Sequence, residues 1–201
     1  MNKIWFLVSG VVIGLALTLV IGRYLLDQNY QYHGTVIDPP ARASDFNLTD
    51  QNGNPFRLSD QKGKSVLIFF GYTHCPDVCP ITLSEFKQIK TLLGEESDQV
   101  RFVFITVDPE RDTVETINTF LQNFDPTFIG LTGDRGTLEP VWKAYGVYQE
   151  QQDEGSAAGY LVDHSTPTYL IDPQGLWHIN YPYEMETDKV AQDLLHLMKE
   201  Q

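Results

Sequence analysis

The chain has 201 residues, of which 42% are hydrophobic and 12% aromatic, and this content is enough for a folded core rather than wholesale disorder. Its 14 basic and 27 acidic residues give a formal net charge of −13, which argues against nucleic-acid binding because Lys and Arg are too few to neutralise phosphates. The two cysteines, Cys75 and Cys79, are too few for a disulfide-stapled scaffold.

An uncharged apolar run occupies residues 4–22 near the N-terminus. As a helix it would reach roughly 28 Å, which is close to the ~30 Å hydrocarbon core of a bilayer. A cleavable signal peptide is the alternative, but its apolar region would be shorter, and no small-x-small cleavage site follows residue 22. We therefore predict an uncleaved transmembrane anchor at residues 1–26, with the following domain on the outer side of the membrane.

Residues 27–41 show no periodic pattern and include Pro39-Pro40, which predicts a tether between the membrane and a domain at residues 42–201. The domain begins with a hairpin signal, Asn52-Gly53, between short strands predicted at 46–49 and 55–58. A continuous apolar run at 65–70 follows and is typical of a strand buried on both faces.

The remaining pattern alternates helices and strands. Helices are predicted at 81–93, 112–124, 138–145 and 187–199, strands at 101–107, 127–131, 168–171 and 176–179, and an exposed polar loop at 149–159. This order predicts an α/β thioredoxin-like fold with an N-terminal β-hairpin, preceded by a single transmembrane helix.

The two cysteines lie where the buried strand passes into the first helix of this domain. Pro80 is tolerated in a first helical turn but not in a helix interior, so Cys75 and Cys79 belong to the turn that opens the helix. Unpaired N–H groups and the helix dipole favour thiolates there. The four-residue spacing turns both sulfurs to one side, where they can close a disulfide or hold one soft metal ion.

Two sulfurs rarely suffice for a metal, and imidazole is the natural third ligand. Four of the five histidines have less suitable surroundings. His33 lies in the tether and His196 in the last helix, where exposure to solvent is expected. His74 lies beside a cysteine, and His178 lies on a strand surface. His164 precedes the strand at 168–171. In a thioredoxin-like fold the loop entering that strand carries a cis-proline against the cysteine turn. Pro167 fits this role and would bring His164 within reach of both sulfurs, although a structural histidine is the alternative.

Three segments carry distinctive motifs: Tyr-Thr-His-Cys-Pro-Asp-Val-Cys-Pro at 72–80, Val-Asp-Pro-Glu-Arg-Asp at 107–112 and Asp-His-Ser at 163–165. Together they resemble the SCO/SenC family of copper-binding cytochrome c oxidase assembly proteins. The resemblance extends over roughly residues 34–199. It implies a thioredoxin fold, membrane attachment, and Cys75, Cys79 and His164 as ligands of Cu(I) or Cu(II). It further implies that Asp77 and Asp163 act near the ligands or in docking a partner.

Three functions follow from this resemblance and the cysteine pair. The first is a copper chaperone in the cell inner membrane, single-pass with its soluble domain on the periplasmic or equivalent side. It would deliver copper to, or mature, the CuA centre of cytochrome c oxidase, with the CuA-bearing subunit, another copper carrier or a thiol reductant as partners. The second is a thiol:disulfide oxidoreductase in which Cys75 and Cys79 keep the oxidase cysteines reduced without carrying metal. The third is a peroxide-reducing or redox-sensing protein.

Overall fold

The computed structural model describes residues 8–18, 22, 30–156 and 159–199, with only the backbone described at 153–156. The chain divides into two units, Met1–Tyr32 and His33–Gln201. In the first unit, residues 8–18 and residue 22 are helical, while the rest of the predicted anchor at 1–26 lies outside the described residues. Within the described part of the chain, no helix combines the length and the apolar character that crossing a membrane requires.

The described residues of the second unit form ten strands and four α-helices. The strands are β1 (Thr35–Arg42), β2 (Asn47–Asp50), β3 (Pro55–Arg57), β4 (Ser65–Gly71), β5 (Val100–Thr106), β6 (Ile129–Thr132), β7 (Gln149–Ser156), β8 (Gly159–His164), β9 (Thr168–Ile171) and β10 (Leu176–Tyr181). The helices are α1 (Val78–Leu93), α2 (Val114–Gln122), α3 (Arg135–Ala144) and α4 (Thr187–Lys199), with short 3-10 helices at Leu58–Gln61 and Gly94–Gln99.

Eight of the strands form one sheet in the order β1-β10-β9-β4-β5-β6-β2-β3. Strands β4, β5 and β6 are parallel and are joined by α1 and α2, whereas β9 and β10 continue the sheet antiparallel beside β4. The β2–β3 hairpin extends the other edge through β6. This α/β arrangement is thioredoxin-like and carries the N-terminal hairpin that the sequence predicts.

The core lies on both faces of β4, all of whose residues are buried. Alternation along the strand sends Phe69 and Phe70 to opposite faces. Phe104 pairs in register with Phe69, and its ring contacts Phe120 of α2 at 5.9 Å between centroids. On the other face, the ring of Phe70 lies 5.7 Å from that of Tyr145, just past α3. The continuous apolar run therefore reflects a strand with helices on both sides.

Strand β1 departs from the predicted tether, because residues 35, 36 and 41 of that segment pair with β10. The register shifts between Val36 and Ala41, where Pro39 and Pro40 lie. An edge strand tolerates prolines because one side of it has no hydrogen-bonded neighbour. The prolines interrupt the alternating pattern that would otherwise indicate a strand.

The second departure is the hairpin of β7 and β8, which replaces the exposed loop predicted at 149–159. The two strands pair with each other outside the eight-stranded sheet. The sequence of β7, Gln-Glu-Gln-Gln-Asp-Glu-Gly-Ser, has no apolar residue and so lacks the alternation by which a half-buried strand is recognised.

Candidate metal centre

The cysteine turn lies between the end of β4 and the start of α1. Cys79 and Pro80 occupy the first turn of the helix, and the backbone N–H of Cys75 donates to the carbonyl of Tyr72 at 3.2 Å. A Cβ atom on Gly71 would lie 2.8 Å from the Cys79 Sγ, so only glycine permits this close approach of helix and strand. The residues around the cysteines thus seat one sulfur directly against the sheet.

The two cysteines are free thiols with different exposure. Cys79 is buried, whereas Cys75 is half-buried. The backbone N–H of Cys79 donates to the Cys75 Sγ at 3.4 Å, as expected where a sulfur precedes unpaired N–H groups at a helix start. Cys75 is therefore the more exposed of the two cysteines, and the Cys79 sulfur closes the floor of the site.

His164 stands at the end of β8 and completes the group. Its Nε2 lies 3.6 Å from the Cys79 Sγ, and its Nδ1 lies 2.9 Å from the carbonyl oxygen of Ser165. Because a carbonyl only accepts hydrogen bonds, this contact assigns the proton to Nδ1 and leaves the Nε2 lone pair directed toward the sulfurs. The rings of Phe69 and Tyr72 meet the imidazole edge-on, at 6.0 and 5.7 Å between centroids.

The three candidate ligand atoms all lie within 4.8 Å of one another. In protein zinc sites, metal bonds of about 2.3 Å to sulfur and 2.0 Å to nitrogen keep such atoms within roughly 4.6 Å of each other, so shifts of a few tenths of an ångström suffice. Among the described residues, no other group of three His, Cys, Asp or Glu side chains is arranged to hold a metal. Two thiolates and an imidazole form a donor set that suits a soft ion such as Cu(I).

A family model described as SCO1/SenC matches residues 35–199. The chain belongs to the SCO1/SenC family.

Three relatives illustrate the similarity. The SCO2-like protein of Rickettsia felis is 36% identical over 156 residues, which cover 77% of this chain and 74% of that protein. The structure of Bradyrhizobium japonicum ScoI with copper bound has a TM-score of 0.72 and 39% identity, covering 78% of this chain and 99% of that chain. The structure of apo Sco1 from Thermus thermophilus has a TM-score of 0.75 and 34% identity, covering 84% of this chain and 98% of that chain. The predicted family and the predicted α/β thioredoxin-like domain are confirmed, whereas the transmembrane helix predicted before it is not found among the described residues.

The two thiols of this SCO1/SenC protein differ in acidity. A hydrogen bond from the Cys79 thiol lowers the pKa of Cys75 to about 4, and hydrogen bonds from backbone N–H groups act in the same direction, while burial opposes the shift. Burial raises the pKa of Cys79 well above its usual range, and the hydrogen bond to Cys75 and the charge of its thiolate act in the same direction. At neutral pH the pair therefore holds one proton between an accessible thiolate and a buried thiol.

This asymmetry predicts the pH dependence of alkylation. Only the thiolate reacts, so the rate at which iodoacetamide modifies Cys75 should rise as the pH increases through about 4 and level off above it. Cys79 should stay slow even at pH 8, because it is buried and protonated. Mass spectrometry of the reduced chain quenched at successive pH values measures both rates. An inflection near pH 8.5, the value of an ordinary cysteine, would contradict the assignment.

The other four histidines lie outside the group, in agreement with the sequence analysis. His74 is exposed, and its Nδ1 lies 3.0 Å from the Thr73 hydroxyl. His33 contacts Asp193, and His178 lies near Asp172. The expected exposure of His196 is wrong, since His196 is buried in α4. The buried face of α4 includes Asp193, His196 and Leu197. The side of the helix that faces the core is therefore not the side that the spacing of its apolar residues alone predicts.

The route that brings His164 to the sulfurs also differs from expectation. Among the described residues, the peptide bond in the cis form is Asp38–Pro39. The prediction of a cis-proline at Pro167 is therefore wrong, and the Thr166–Pro167 bond has the intrinsically favoured trans form. Strand β8 delivers His164 instead. The predicted accessory carboxylates, Asp77 and Asp163, are both exposed, and Asp163 accepts a hydrogen bond from Gln152.

The sequence analysis missed the buried carboxylates behind the site. Asp112 accepts hydrogen bonds from the backbone N–H and hydroxyl of Thr73, at 3.1 and 2.6 Å, and from the Thr106 hydroxyl at 2.7 Å. It therefore braces the cysteine turn from beneath, and its burial raises the pKa of its carboxyl. Asp108 is equally buried and contacts Arg111 and Tyr160. Their signal in the sequence is the motif at 107–112, which supports the resemblance but assigns no contacts.

Proposed function

We propose that this chain is a membrane-anchored copper chaperone that delivers copper to, or matures, the CuA centre of cytochrome c oxidase. The observation that carries the proposal is the grouping of the Cys75, Cys79 and His164 ligand atoms within 4.8 Å. A soft donor set of this kind selects Cu(I). Bradyrhizobium japonicum ScoI, which is 39% identical, has been solved with copper bound, and this supports copper as the metal.

The ligands would take up copper with a defined proton balance. Cys75 is already a thiolate at neutral pH, and the His164 Nε2 already carries a lone pair, so neither has to lose a proton. Cys79 is a thiol and would release one proton as it binds the metal. Because Cys75 and His164 are half-buried while Cys79 is buried, a partner's ligands would displace the two accessible ones first. Copper would then pass on by exchange of one ligand at a time.

The same sulfurs make loading dependent on redox state. Oxidation of the pair to a Cys75–Cys79 disulfide removes two electrons and the one proton that Cys79 holds, and it leaves neither sulfur able to bind as a thiolate. Outside the cytoplasm such a disulfide persists unless it is reduced. We therefore infer a thiol reductant as one partner, beside the oxidase subunit that carries CuA and a second copper carrier.

Metal analysis of the purified full-length chain tests the proposal. The reduced chain, incubated anaerobically with Cu(I) and desalted, should retain about one copper per chain, because the described residues contain one set of three ligands. The chain oxidised to the disulfide should retain none. Transfer is then measured by mixing the loaded chain with an apo CuA domain, separating the two proteins and determining the copper bound to each. Failure of the reduced chain to retain copper, or equal retention by the oxidised chain, would contradict the proposal.

The alternative is a thiol:disulfide oxidoreductase that keeps the oxidase cysteines reduced. The specific observation in its favour is an accessible low-pKa thiolate at Cys75 beside the buried thiol of Cys79. Cys75 would attack a substrate disulfide, and Cys79 would resolve the mixed disulfide, so that two electrons leave the pair and the substrate is reduced to two thiols. This alternative would be favoured if the chain retains no copper but fully reduces a copper-free CuA domain whose two cysteines form a disulfide.

We further propose an anchor at residues 1–26, a tether at 27–41 whose second half joins the sheet as β1, and a copper-binding domain at 42–201. The support is the uncharged apolar run at residues 4–22. In this arrangement the protein is a single-pass protein of the inner membrane with its domain on the outer side. Cell fractionation checks it, because recovery of the full-length chain in the soluble periplasmic fraction would contradict anchoring.

A further inference from the structure

The hairpin that carries His164 is not part of the eight-stranded sheet. Among the strands that the structure describes, β7 and β8 pair with each other and not with the main sheet, whereas both cysteines are seated on α1 and the turn before it. Backbone pairing with the sheet therefore does not fix the distance between the imidazole and the sulfurs. Side-chain contacts that join β8 to the rest of the domain must do so.

Such contacts come from Asp108, Arg111 and Tyr160, which we call the hairpin clamp. The Tyr160 hydroxyl of β8 donates to the Asp108 carboxylate at 2.6 Å. Arg111 donates through Nε to the same carboxylate at 2.5 Å and through Nη1 to the Tyr160 carbonyl at 2.9 Å. Its guanidinium also lies 3.7 Å from the centre of the Tyr160 ring. Both the side chain and the backbone of Tyr160 are thus held.

The clamp is built to be strong. The Asp108 carboxylate is fully buried, and the Arg111 side chain is only 18% exposed, so water screens the pair weakly. Hydrogen bonds to a charged group are shorter and stronger than those between neutral groups. The stacked guanidinium adds a cation–π contact. Asp108 and Arg111 lie in the segment between β5 and α2, so the clamp ties the hairpin to the carboxyl end of the central strand β5.

A second contact joins the same strand to the cysteine turn. The backbone N–H of Val162, two residues before His164, donates to the Tyr72 hydroxyl at 3.3 Å. The Tyr72 ring meets the imidazole edge-on, and the Arg111 guanidinium lies 5.7 Å from the centre of that ring. The clamp and the cysteine turn therefore converge on β8 immediately before the histidine.

We infer that Arg111 and Tyr160 are positioning residues that hold His164 Nε2 against the two sulfurs. Neither touches the metal; they act by keeping β8 in place while Asp108 anchors them. The inference rests on the proposed role of His164 as a copper ligand. Removing an outer partner of a metal ligand typically lowers metal affinity by roughly 10- to 100-fold. Loss of the Tyr160 hydroxyl alone belongs at the lower end of this range, because Arg111 still holds the backbone.

Tyr160→Phe tests the inference, and Tyr148→Phe is its matched control. Tyr148 lies just before β7, and its hydroxyl also donates to a carboxylate, that of Glu150, but both residues are exposed. Competition with a chromophoric Cu(I) chelator measures the affinity of the full-length reduced chain. We expect Tyr160→Phe to bind Cu(I) about 10-fold more weakly than the unmodified chain and Tyr148→Phe to bind within about twofold of it. Arg111→Lys, which cannot form both hydrogen bonds at once, should weaken binding at least as much.

Two further measurements separate positioning from a general loss of stability. Tyr160→Phe combined with His164→Ala should bind no more weakly than His164→Ala alone, since the clamp acts through the histidine. In the copper-free chain, hydrogen exchange of the β8 amides should accelerate in Tyr160→Phe while exchange in β4 and β5 is unchanged. Unchanged affinity in Tyr160→Phe, or additive losses in the double variant, would overturn the inference.

The proposed function and the inference fail differently. If the unmodified chain binds no Cu(I), the proposed function fails, and the exchange experiment still decides whether the clamp holds β8. Accelerated exchange confined to the hairpin then supports the holding role, and unchanged exchange overturns it. If the unmodified chain binds Cu(I) and Tyr160→Phe binds equally well, the inference fails and the proposed function stands.

Discussion

Replacement of His164 by alanine is expected to weaken Cu(I) binding by more than about 100-fold while leaving formation of the Cys75–Cys79 disulfide intact. Loss of a direct ligand should exceed the roughly 10- to 100-fold effect of losing an outer partner. Both sulfurs remain in place, because they belong to α1 and its preceding turn and not to the hairpin. Chelator competition measures the affinity, and counting of free thiols after mild oxidation measures disulfide formation.

The matched control for this substitution is His74→Ala. His74 adjoins Cys75 in the chain, but its ring is exposed and lies outside the group of three. Its removal should leave the copper affinity unchanged. Copper affinity that is equal in His164→Ala and the unmodified chain would exclude His164 as a ligand and favour the oxidoreductase.

This division between the sulfurs and the imidazole bears on which function the chain performs. Disulfide exchange needs the two sulfurs alone, whereas a metal site needs the third ligand as well. The His164 Nε2 lone pair, 3.6 Å from the Cys79 Sγ, suits a third metal ligand, and in thiol exchange it would instead accept the proton that Cys79 must lose. The two functions therefore make different demands on His164, and loss of copper binding with retained disulfide formation in His164→Ala would favour copper carriage.

The parts of the fold that were predicted correctly are those in which burial imposes a pattern on the sequence. Strand β4 is buried throughout, and its residues form an unbroken apolar run. Helix α4 was predicted at its observed limits, because apolar residues at helical spacing mark one face of it. The hairpin of β7 and β8 was missed because most of β7 is polar and no neighbouring strand of the main sheet imposes alternation on it.

The candidate site divides in the same way. Cys75 and Cys79 are close in sequence, so helix geometry alone predicts that their sulfurs share one side. His164 is distant in sequence and is carried by a hairpin that the sequence does not predict. Its position in the sequence therefore supports a ligand role only weakly, and the family resemblance is what assigns it. The hairpin clamp was not predictable, because ordinary surface residue types acquire their roles only through burial and long-range contact.

Replacement of Cys79 by serine is expected to abolish both copper retention and the internal disulfide. A serine hydroxyl does not deprotonate at neutral pH and is a poor ligand for a soft ion, so the site would keep one thiolate and one imidazole. Such a pair should not retain copper through desalting. Metal analysis of the desalted chain measures retention, and mass spectrometry after oxidation and alkylation measures the disulfide.

Burial of a new hydroxyl is the competing explanation for a loss, because Cys79 is fully buried against β4. Cys79→Ala removes the sulfur without adding a polar group, and it should lose copper to the same extent. Thr82→Ser, a conservative change at another buried position of α1, should keep both copper and the disulfide and so controls for disturbance of the helix. One copper per chain in both Cys79 variants would mean that the buried sulfur is not a ligand and that metal uptake and thiol chemistry do not share a site.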